Sequence, residues 1–371
     1  MNHYYNPVRV FQGAGCFQLL PEILEKLNPE NKRVLILTWN RKILEHQAVS
    51  QIRGMEVQNS VFEASNPTIE QFFREYEKTK EFSPQAVVAI GGGSIMDVGK
   101  SLCCMYGKDI KSEEELRELI QKKEFGTPKA RWIGVPTTSG TGSEVTCWAT
   151  IWDPAKNAKR SVENHENYAF ASLADPELTK GMPLTLAVSS ALDAAAHAVE
   201  SYWAKGTNSV SRALALQAIQ KIMGHMEDLL EGKEEARAAM AEGSVLAGLA
   251  FSNTKTTACH SISYPLTMSH QIPHGAAVSM LLAPVLEMNQ AGTEGMEKLL
   301  EALGCPDAKV LRQRIGSFLR SSGQPDTLRG WGVKEEEIPS LAEAGITKGR
   351  ADNNPVEITA EKIEEILKEI Y

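Results

Sequence analysis

Three short, unbroken apolar runs in the first half of the chain constrain its fold more than any other feature. They are Val34-Leu35-Ile36-Leu37-Thr38, Ala86-Val87-Val88-Ala89-Ile90 and Trp132-Ile133-Gly134-Val135. A strand without polar alternation has both faces buried, which is the pattern of a parallel sheet covered by helices. Helical stretches separate the runs. Thr68-Ile69-Glu70-Gln71 has the form of a capping box, Thr68 as N-cap and Gln71 reaching back, and opens an amphipathic run to about Glu81. Strands alternating with helices predict an α/β fold with a parallel sheet up to about residue 180.

The character changes after Met182-Pro183-Leu184, beyond which the chain is rich in Ala, Leu, Glu and Met at helical spacing. Ser189 to Trp203, Ser209 to Glu231, Glu234 to Ala250 and Thr359 to Ile370 read as helices. The expectation is an α/β domain over 1–183 and an all-helical domain over 184–371, a division that 371 residues readily allow. No repeat or low-complexity linker is visible, so the domains are expected to pack tightly around a cleft, a favoured ligand position.

A formal net charge of -8 argues against nucleic acid or an anionic membrane as partner, because phosphate backbones attract basic faces. A small anionic substrate stays open, since a local cluster of cations can outweigh the mean field. Met1 to Val10 has no apolar signal-peptide core, and no apolar run reaches the roughly 18 residues a spanning helix needs. The six cysteines show no CxxC pairs. A reduced, cytoplasmic protein is the expectation.

Two loops leave the strands. Ile90-Gly91-Gly92-Gly93-Ser94 opens a helix that continues through Met96, Asp97 and Lys100. Bare amides and the positive helix end can hold a phosphate there, and glycines let it approach the backbone. Met96 stands where the third glycine of GxGxxG would fall, so a tight turn and a phosphate loop are both open for this loop alone. Pro136-Thr137-Thr138-Ser139-Gly140-Thr141-Gly142-Ser143-Glu144 also follows a strand, with hydroxyl and glycine residues suited to a nucleotide. Its plainer reading is a connection whose Ser and Thr cap the next helix. Two such loops at the C-terminal ends of neighbouring parallel strands match the crevice where open α/β sheets bind ligands, which favours a nucleotide.

In the helical half, Asp193 and His197 are four residues apart on one helix face, and alanines leave that face uncrowded. His260 and His274 follow, in Ala258-Cys259-His260-Ser261 and Ile272-Pro273-His274-Gly275. One carboxylate oxygen and three imidazole nitrogens make a ligand set for a catalytic divalent metal with an open position. Any single histidine is more often structural, and an Asp/His pair at this spacing arises by chance fairly often. A divalent ion facing a nicotinamide would be a Lewis acid on a carbonyl oxygen, stabilising the alkoxide as hydride arrives from the cofactor.

Taken together these segments resemble the iron-containing alcohol dehydrogenase family over nearly the whole chain. The resemblance runs from Phe11-Gln12-Gly13-Ala14-Gly15 through Asn66-Pro67-Thr68, the GGGS loop with Asp97 and Lys100, and Pro136 to Glu144. It continues through Asp175-Pro176-Glu177-Leu178, the Asp193/His197 helix with Glu200-Ser201-Tyr202, His260 and Pro273-His274-Gly275. It implies a Rossmann-like N-terminal domain, a helical C-terminal domain, and NAD(P)(H) with ferrous iron, or alternatively zinc. Asp193, His197, His260 and His274 are the implied metal ligands. The pyrophosphate is implied near Gly92, Gly93 and Ser94, with Thr137, Thr138 and Thr141 along the nucleotide. Lys159 and Asp97 fall near the nicotinamide ribose, and Asn66 and Trp39 are further candidate cofactor contacts. Relatives of this kind are often dimers or larger, so a homo-oligomer is expected.

Two departures from the family pattern bear on chemistry. Trp39 stands where many NAD-preferring relatives carry an Asp that binds the ribose 2′-hydroxyl and repels a 2′-phosphate, which opens NADP(H); its plainer reading is packing beside the adenine. Tyr264 stands where many members carry a second His near the substrate. It is a candidate proton relay, and equally a buried aromatic with a satisfied hydroxyl. The stretch from Lys255 to Thr267 and the Asn6-Pro7-Val8 opening resemble the branch that reduces phosphonoacetaldehyde to 2-hydroxyethylphosphonate. An anionic phosphonate needs cations and hydroxyl donors, for which Arg160, Lys255, Thr256 and Thr257 are candidates; their plainer reading is surface charge and helix capping. The rivals to a metal-dependent reductase of a small aldehyde are an NAD- and zinc-using lyase or cyclase like dehydroquinate synthase, and a non-catalytic nucleotide-binding protein.

Overall fold

The computed structural model describes residues 3–27, 30, 32–156 and 158–371. It divides into two compact units. One comprises 6–138 and 143–179; the other comprises 180–371 together with 139–142 and the described residues 3–5.

The first unit contains strands β1 (Arg9–Gln12), β2 (Arg33–Thr38), β3 (Glu56–Val61), β4 (Ala86–Gly91), β5 (Arg131–Pro136), β6 (Trp148–Asp153), β7 (Ala158–Glu163) and β8 (Ala171–Ala174). Six of them form one sheet in the order β1-β8-β5-β4-β2-β3, with every pairing parallel. The continuous apolar runs are its central strands, and their alternate residues enter two different cores. Val34, Ile36, Ala86, Val88 and Ile90 pack with the Leu20–Leu27 helix on one face. Leu35, Leu37, Val87 and Ala89 face the Ile69–Thr79, Gly93–Met105 and Glu113–Lys122 helices on the other. That is why these runs carry no polar alternation.

The capping box forms as its sequence predicts. Thr68 Oγ1 accepts from the Gln71 N–H at 3.3 Å, and Gln71 Oε1 accepts from the Thr68 N–H at 3.0 Å. The helix it opens ends at Thr79. Strands β6 and β7 form a separate antiparallel pair that the sequence did not announce. The Arg117 Nε hydrogen-bonds both oxygens of the fully buried Asp153, at 3.1 and 3.3 Å, tying the Glu113–Lys122 helix to this pair.

The second unit has no strand among its described residues. Its central helix, Leu184–Trp203, is buried continuously from Ala191 to Trp203 and packs against the Ser209–Met223, Glu234–Thr254 and His274–Asn289 helices. The helix expected over Ser209 to Glu231 is interrupted at Gly224 and His225, and resumes as Met226–Leu230. Glycine is a poor helix residue, so a break there has a local cause. No helix among the described residues is long and apolar enough to cross a membrane.

Small residues let these helices approach closely. An ideal Cβ on Gly275 would lie 1.9 Å from the carbonyl oxygen of Ser189, so the His274–Asn289 and Leu184–Trp203 helices touch backbone to backbone at that level. Gly275→Ala is expected to lower stability by about 1–3 kcal/mol, the usual range for overpacking. Chemical denaturation measures this, and an unchanged midpoint would show that the two helices separate at no cost.

Candidate metal centre and nucleotide loops

Asp193 and His197 lie one turn apart in the middle of the buried Leu184–Trp203 helix. His260 comes from the Ala258–His270 helix, and His274 is the first residue of His274–Asn289. Asp193 Oδ1 is 3.5 Å from His260 Nε2 and 3.9 Å from His274 Nε2. In Asp193, His260 and His274, one ligand atom from each lies within 4.8 Å of the others. His197 flanks this group: its Nδ1 is 3.9 Å from Asp193 Oδ2, and its ring stacks on Phe251 at 4.3 Å and on His260 at 4.4 Å.

The chemistry of these atoms fits a cation. Asp193 Oδ1, His197 Nδ1 and His260 Nε2 are buried without a hydrogen-bond partner. Three such atoms in one neighbourhood would cost free energy, because buried polar groups are normally paired. Two ligand atoms each about 2.1 Å from a tetrahedral ion stand about 3.4 Å apart. The Asp193–His260 separation of 3.5 Å is close to that.

Charge in the cluster is strongly perturbed. Burial would raise the Asp193 carboxyl, but His197, His260 and His274 outweigh it and hold it well below the usual carboxylate range. Burial dominates at His197 and pulls its imidazole down to about 4. At His260 burial is overcome by Glu200 and Asp193, which push the ring up to about 10. The Asp193 side chain is 6% exposed and that of His274 37%, so the group is open on the His274 side. Tyr264 lies there, its ring parallel to His274 with centroids 6.1 Å apart.

Glu200 is a member of this neighbourhood whose role the sequence reading missed. It is fully buried, and its carboxylate accepts from Thr257 Oγ1 at 2.8 Å and from His260 Nδ1 in a very close contact. The spacing of Asp193, His197 and Glu200 already places all three on one helix face. Phe251 left no such signal, since it reaches His197 from a different helix.

In the first unit the strand order reverses between β2 and β4: the chain runs from β2 outward to β3, then from β4 the other way. Open α/β sheets bind ligands at the carboxyl ends of strands at such a point. Trp39 follows β2 there and is 49% exposed. Gly92 follows β4 and caps the Gly93–Met105 helix without a side-chain hydrogen bond, leaving the helix end to another acceptor. An ideal Cβ on Gly92 would meet Thr138 at 3.3 Å, so that loop is tight. Asn66, in left-handed conformation at φ 52°, donates its N–H to Ser94 Oγ at 3.0 Å. The Thr137 N–H donates to the Gly91 carbonyl at 3.0 Å.

Asp97 is held by the fold itself. Its oxygens accept from Ser143 Oγ and from the Thr150 N–H, each at 3.0 Å. The buried Lys100 donates to Ser143 Oγ at 2.8 Å, Thr146 Oγ1 at 2.9 Å and the Trp148 carbonyl at 2.8 Å. Burial pulls the Lys100 ammonium down to about 8. Lys159 is exposed on β7, its ammonium 5.8 Å from the Trp152 ring centroid. Thr141 belongs to the helical unit, in the 139–142 stretch where Gly140 packs on Ser190 and Gly142 on Gly248.

The candidate anion contacts fall in different surroundings. Arg160 donates to the buried Asp153 at 2.6 Å, and Thr257 is fully buried against Glu200. Thr256 is buried, and Lys255 is half-buried at the end of the Glu234–Thr254 helix with φ 62°.

Known proteins match along both halves. The model of the iron-containing alcohol dehydrogenase family matches residues 7–176, and that of the C-terminal part of the Fe-containing alcohol dehydrogenase family matches 187–371. The chain is 28% identical over 388 residues to the NADPH-dependent butanol dehydrogenase of Clostridium saccharobutylicum, covering 100% of this chain and 98% of that one. It is 31% identical over 296 residues to the 1,3-propanediol dehydrogenase of Citrobacter freundii, covering 77% and 76%. The structure of sulfoacetaldehyde reductase from Bifidobacterium kashiwanohense in complex with NAD+ is similar at a TM-score of 0.88 and 27% identity, covering 100% of this chain and 98% of that one. The lyase and non-catalytic readings fall away, and the chain belongs to the iron-containing alcohol dehydrogenase family, an NAD(P)-dependent oxidoreductase of alcohols and aldehydes.

Proposed function

We propose that this protein is a metal-dependent reductase of a small aldehyde carrying an anionic group, with phosphonoacetaldehyde as the leading candidate. The observation that carries the metal is the set of buried, unpartnered atoms on Asp193, His197 and His260, with His274 beside them. These four side chains are the proposed ligands, for ferrous iron or alternatively zinc. A divalent cation bound there supplies a Lewis acid for the carbonyl oxygen, and the reduced nicotinamide supplies the hydride.

The chain's own residues have definite tasks in this reading. Asp193 contributes the one negatively charged ligand of the four, kept ionised by the surrounding imidazoles. Phe251 covers the flat face of His197 and keeps water from it. Tyr264 Oη is the proposed proton donor to the product oxygen. Gly92, Gly93 and Ser94 are the proposed pyrophosphate contacts, with Thr137, Thr138 and Thr141 along the nucleotide. Asn66 fixes the Ser94 hydroxyl, Asp97 and Lys159 serve the ribose, and Trp39 lies against the adenine.

The anionic substrate is supported by the likeness to a sulfoacetaldehyde reductase, whose named substrate bears a sulfonate on a short aldehyde. Among the candidate anion contacts, Arg160 is paired with Asp153 and Thr257 with Glu200, so this part of the reading rests on that likeness.

Three measurements test the reading. Purified enzyme, loaded anaerobically with iron or zinc, is expected to oxidise reduced cofactor at least about tenfold more efficiently with phosphonoacetaldehyde or sulfoacetaldehyde than with unsubstituted short aldehydes, a difference of about 1.4 kcal/mol. Equal kcat/KM across that panel would end the anionic assignment. Asp193→Ala is expected to weaken metal binding by more than about 100-fold, beyond the effect of an outer partner. Metal retained at one ion per chain in that variant would remove the proposed centre. Trp39→Asp is expected to raise the NADH/NADPH ratio of kcat/KM by at least about tenfold, through repulsion of the 2′-phosphate. An unaltered ratio would show that position 39 does not read the ribose.

A further inference from the structure

We propose that Glu200 is a positioning residue that decides which nitrogen His260 offers to the metal, and that Thr257 and Trp203 complete its setting. The inference rests on the metal reading above and adds a chain of hydrogen bonds behind the ligands. Glu200 Oε1 accepts from the Thr257 N–H at 3.1 Å, from Thr257 Oγ1 at 2.8 Å and from the His260 N–H at 3.3 Å. Its Oε2 contacts His260 Nδ1. Every neighbour of this carboxylate in that set is a donor or can be one, so the ionised, acceptor-only form is the form that suits the site.

An acceptor at Nδ1 fixes the imidazole. The ring's last proton is held on Nδ1, so Nε2, the atom that faces Asp193 Oδ1 at 3.5 Å, is the nitrogen that would give up its proton and offer a lone pair to a metal. The opposite tautomer would point an N–H at the metal position and could not ligate. Trp203 removes the remaining freedom one step further out. Its indole N–H donates to Thr257 Oγ1 at 2.8 Å, so the hydroxyl's own proton is directed to Glu200. Glu200 and Trp203 are three residues apart on the Leu184–Trp203 helix, while Thr257 immediately precedes the Ala258–His270 helix that carries His260. The link therefore joins the two helices that supply three of the four ligands, and a carboxylate behind a histidine also raises its basicity as a ligand.

Glu200→Gln keeps the shape but sets an amide NH2 among donors. Turned toward His260, that NH2 stabilises the wrong tautomer; turned away, it meets Thr257. Zn2+ affinity, measured by chelator competition on the full-length protein, is expected to fall 10- to 100-fold, the range for outer partners of metal-bound histidine. The absorption bands of the Co2+-substituted protein are expected to change in intensity, and the His260 15N shifts to move toward the other tautomer. Thr257→Val is expected to weaken Zn2+ less than Glu200→Gln, and Thr257→Ser, which keeps the hydroxyl, to restore it. This pair decides the matter if Glu200→Gln fails to fold. Zn2+ binding within twofold of the parent in Glu200→Gln and in Thr257→Val would overturn the inference while leaving the metal centre intact. Failure of the parent itself to bind Zn2+ or Co2+ would overturn both.

Discussion

A negative charge placed inside a helical bundle is the constraint around which the second unit is arranged. Asp193 sits midway along the buried Leu184–Trp203 helix, and one of its oxygens has no hydrogen bond. A buried charge is tolerated only when it is paired or coordinates a cation. Three histidines meet that demand in part, and His197 comes at no cost in topology because it lies one turn along the same helix. His260 and His274 depend on close packing. The backbone contact at Gly275 lets the helix bearing His274 come near enough to reach Asp193.

The first unit solves a different problem, that of holding a flexible glycine-rich corner still. The Gly93–Met105 helix begins without a capping side chain, yet its first turns are anchored from elsewhere. Lys100 binds Ser143, Thr146 and the Trp148 carbonyl, and Ser143 passes the connection on to Asp97. Burying an ammonium is unfavourable, which its lowered pKa expresses, but three acceptors and a nearby carboxylate compensate for it. The helix end can remain bare because Asp97 and Lys100, one and two turns further on, hold the helix in place.

What the sequence revealed follows the same division between local and distant causes. Strands β2, β4 and β5 were legible because burial on both faces leaves an unmistakable apolar run, and the Thr68/Gln71 box because all its partners lie within four residues; β8, buried but only four residues long and rich in alanine, was not. Strands β1 and β3 escaped notice because they form the sheet's edges, where side chains are partly exposed and polar residues are tolerated. The β6–β7 pair was hidden for a similar reason, since β7 is a short, charged segment in which only Val162 is buried. The four proposed ligands could be named, but the three-way spacing of Asp193, His260 and His274, with His197 at its flank, could not. Arg160 and Thr257 each looked suited to an anion, and each has a partner within the chain that sequence distance concealed.

The stretch 139–142 has a consequence for how such a chain can be divided. Its flanks on both sides belong to the sheet unit, yet Gly142 packs against Gly248 and the Gly140 backbone accepts from His197. Four residues encoded within the proposed nucleotide loops are thus components of the helical unit. No single cut in the polypeptide yields two complete halves: a fragment starting at Lys180 lacks a neighbour of His197, and one ending at Thr179 carries that neighbour away. A division of the chain at one point therefore separates residues that pack in one unit, even though each unit has its own core.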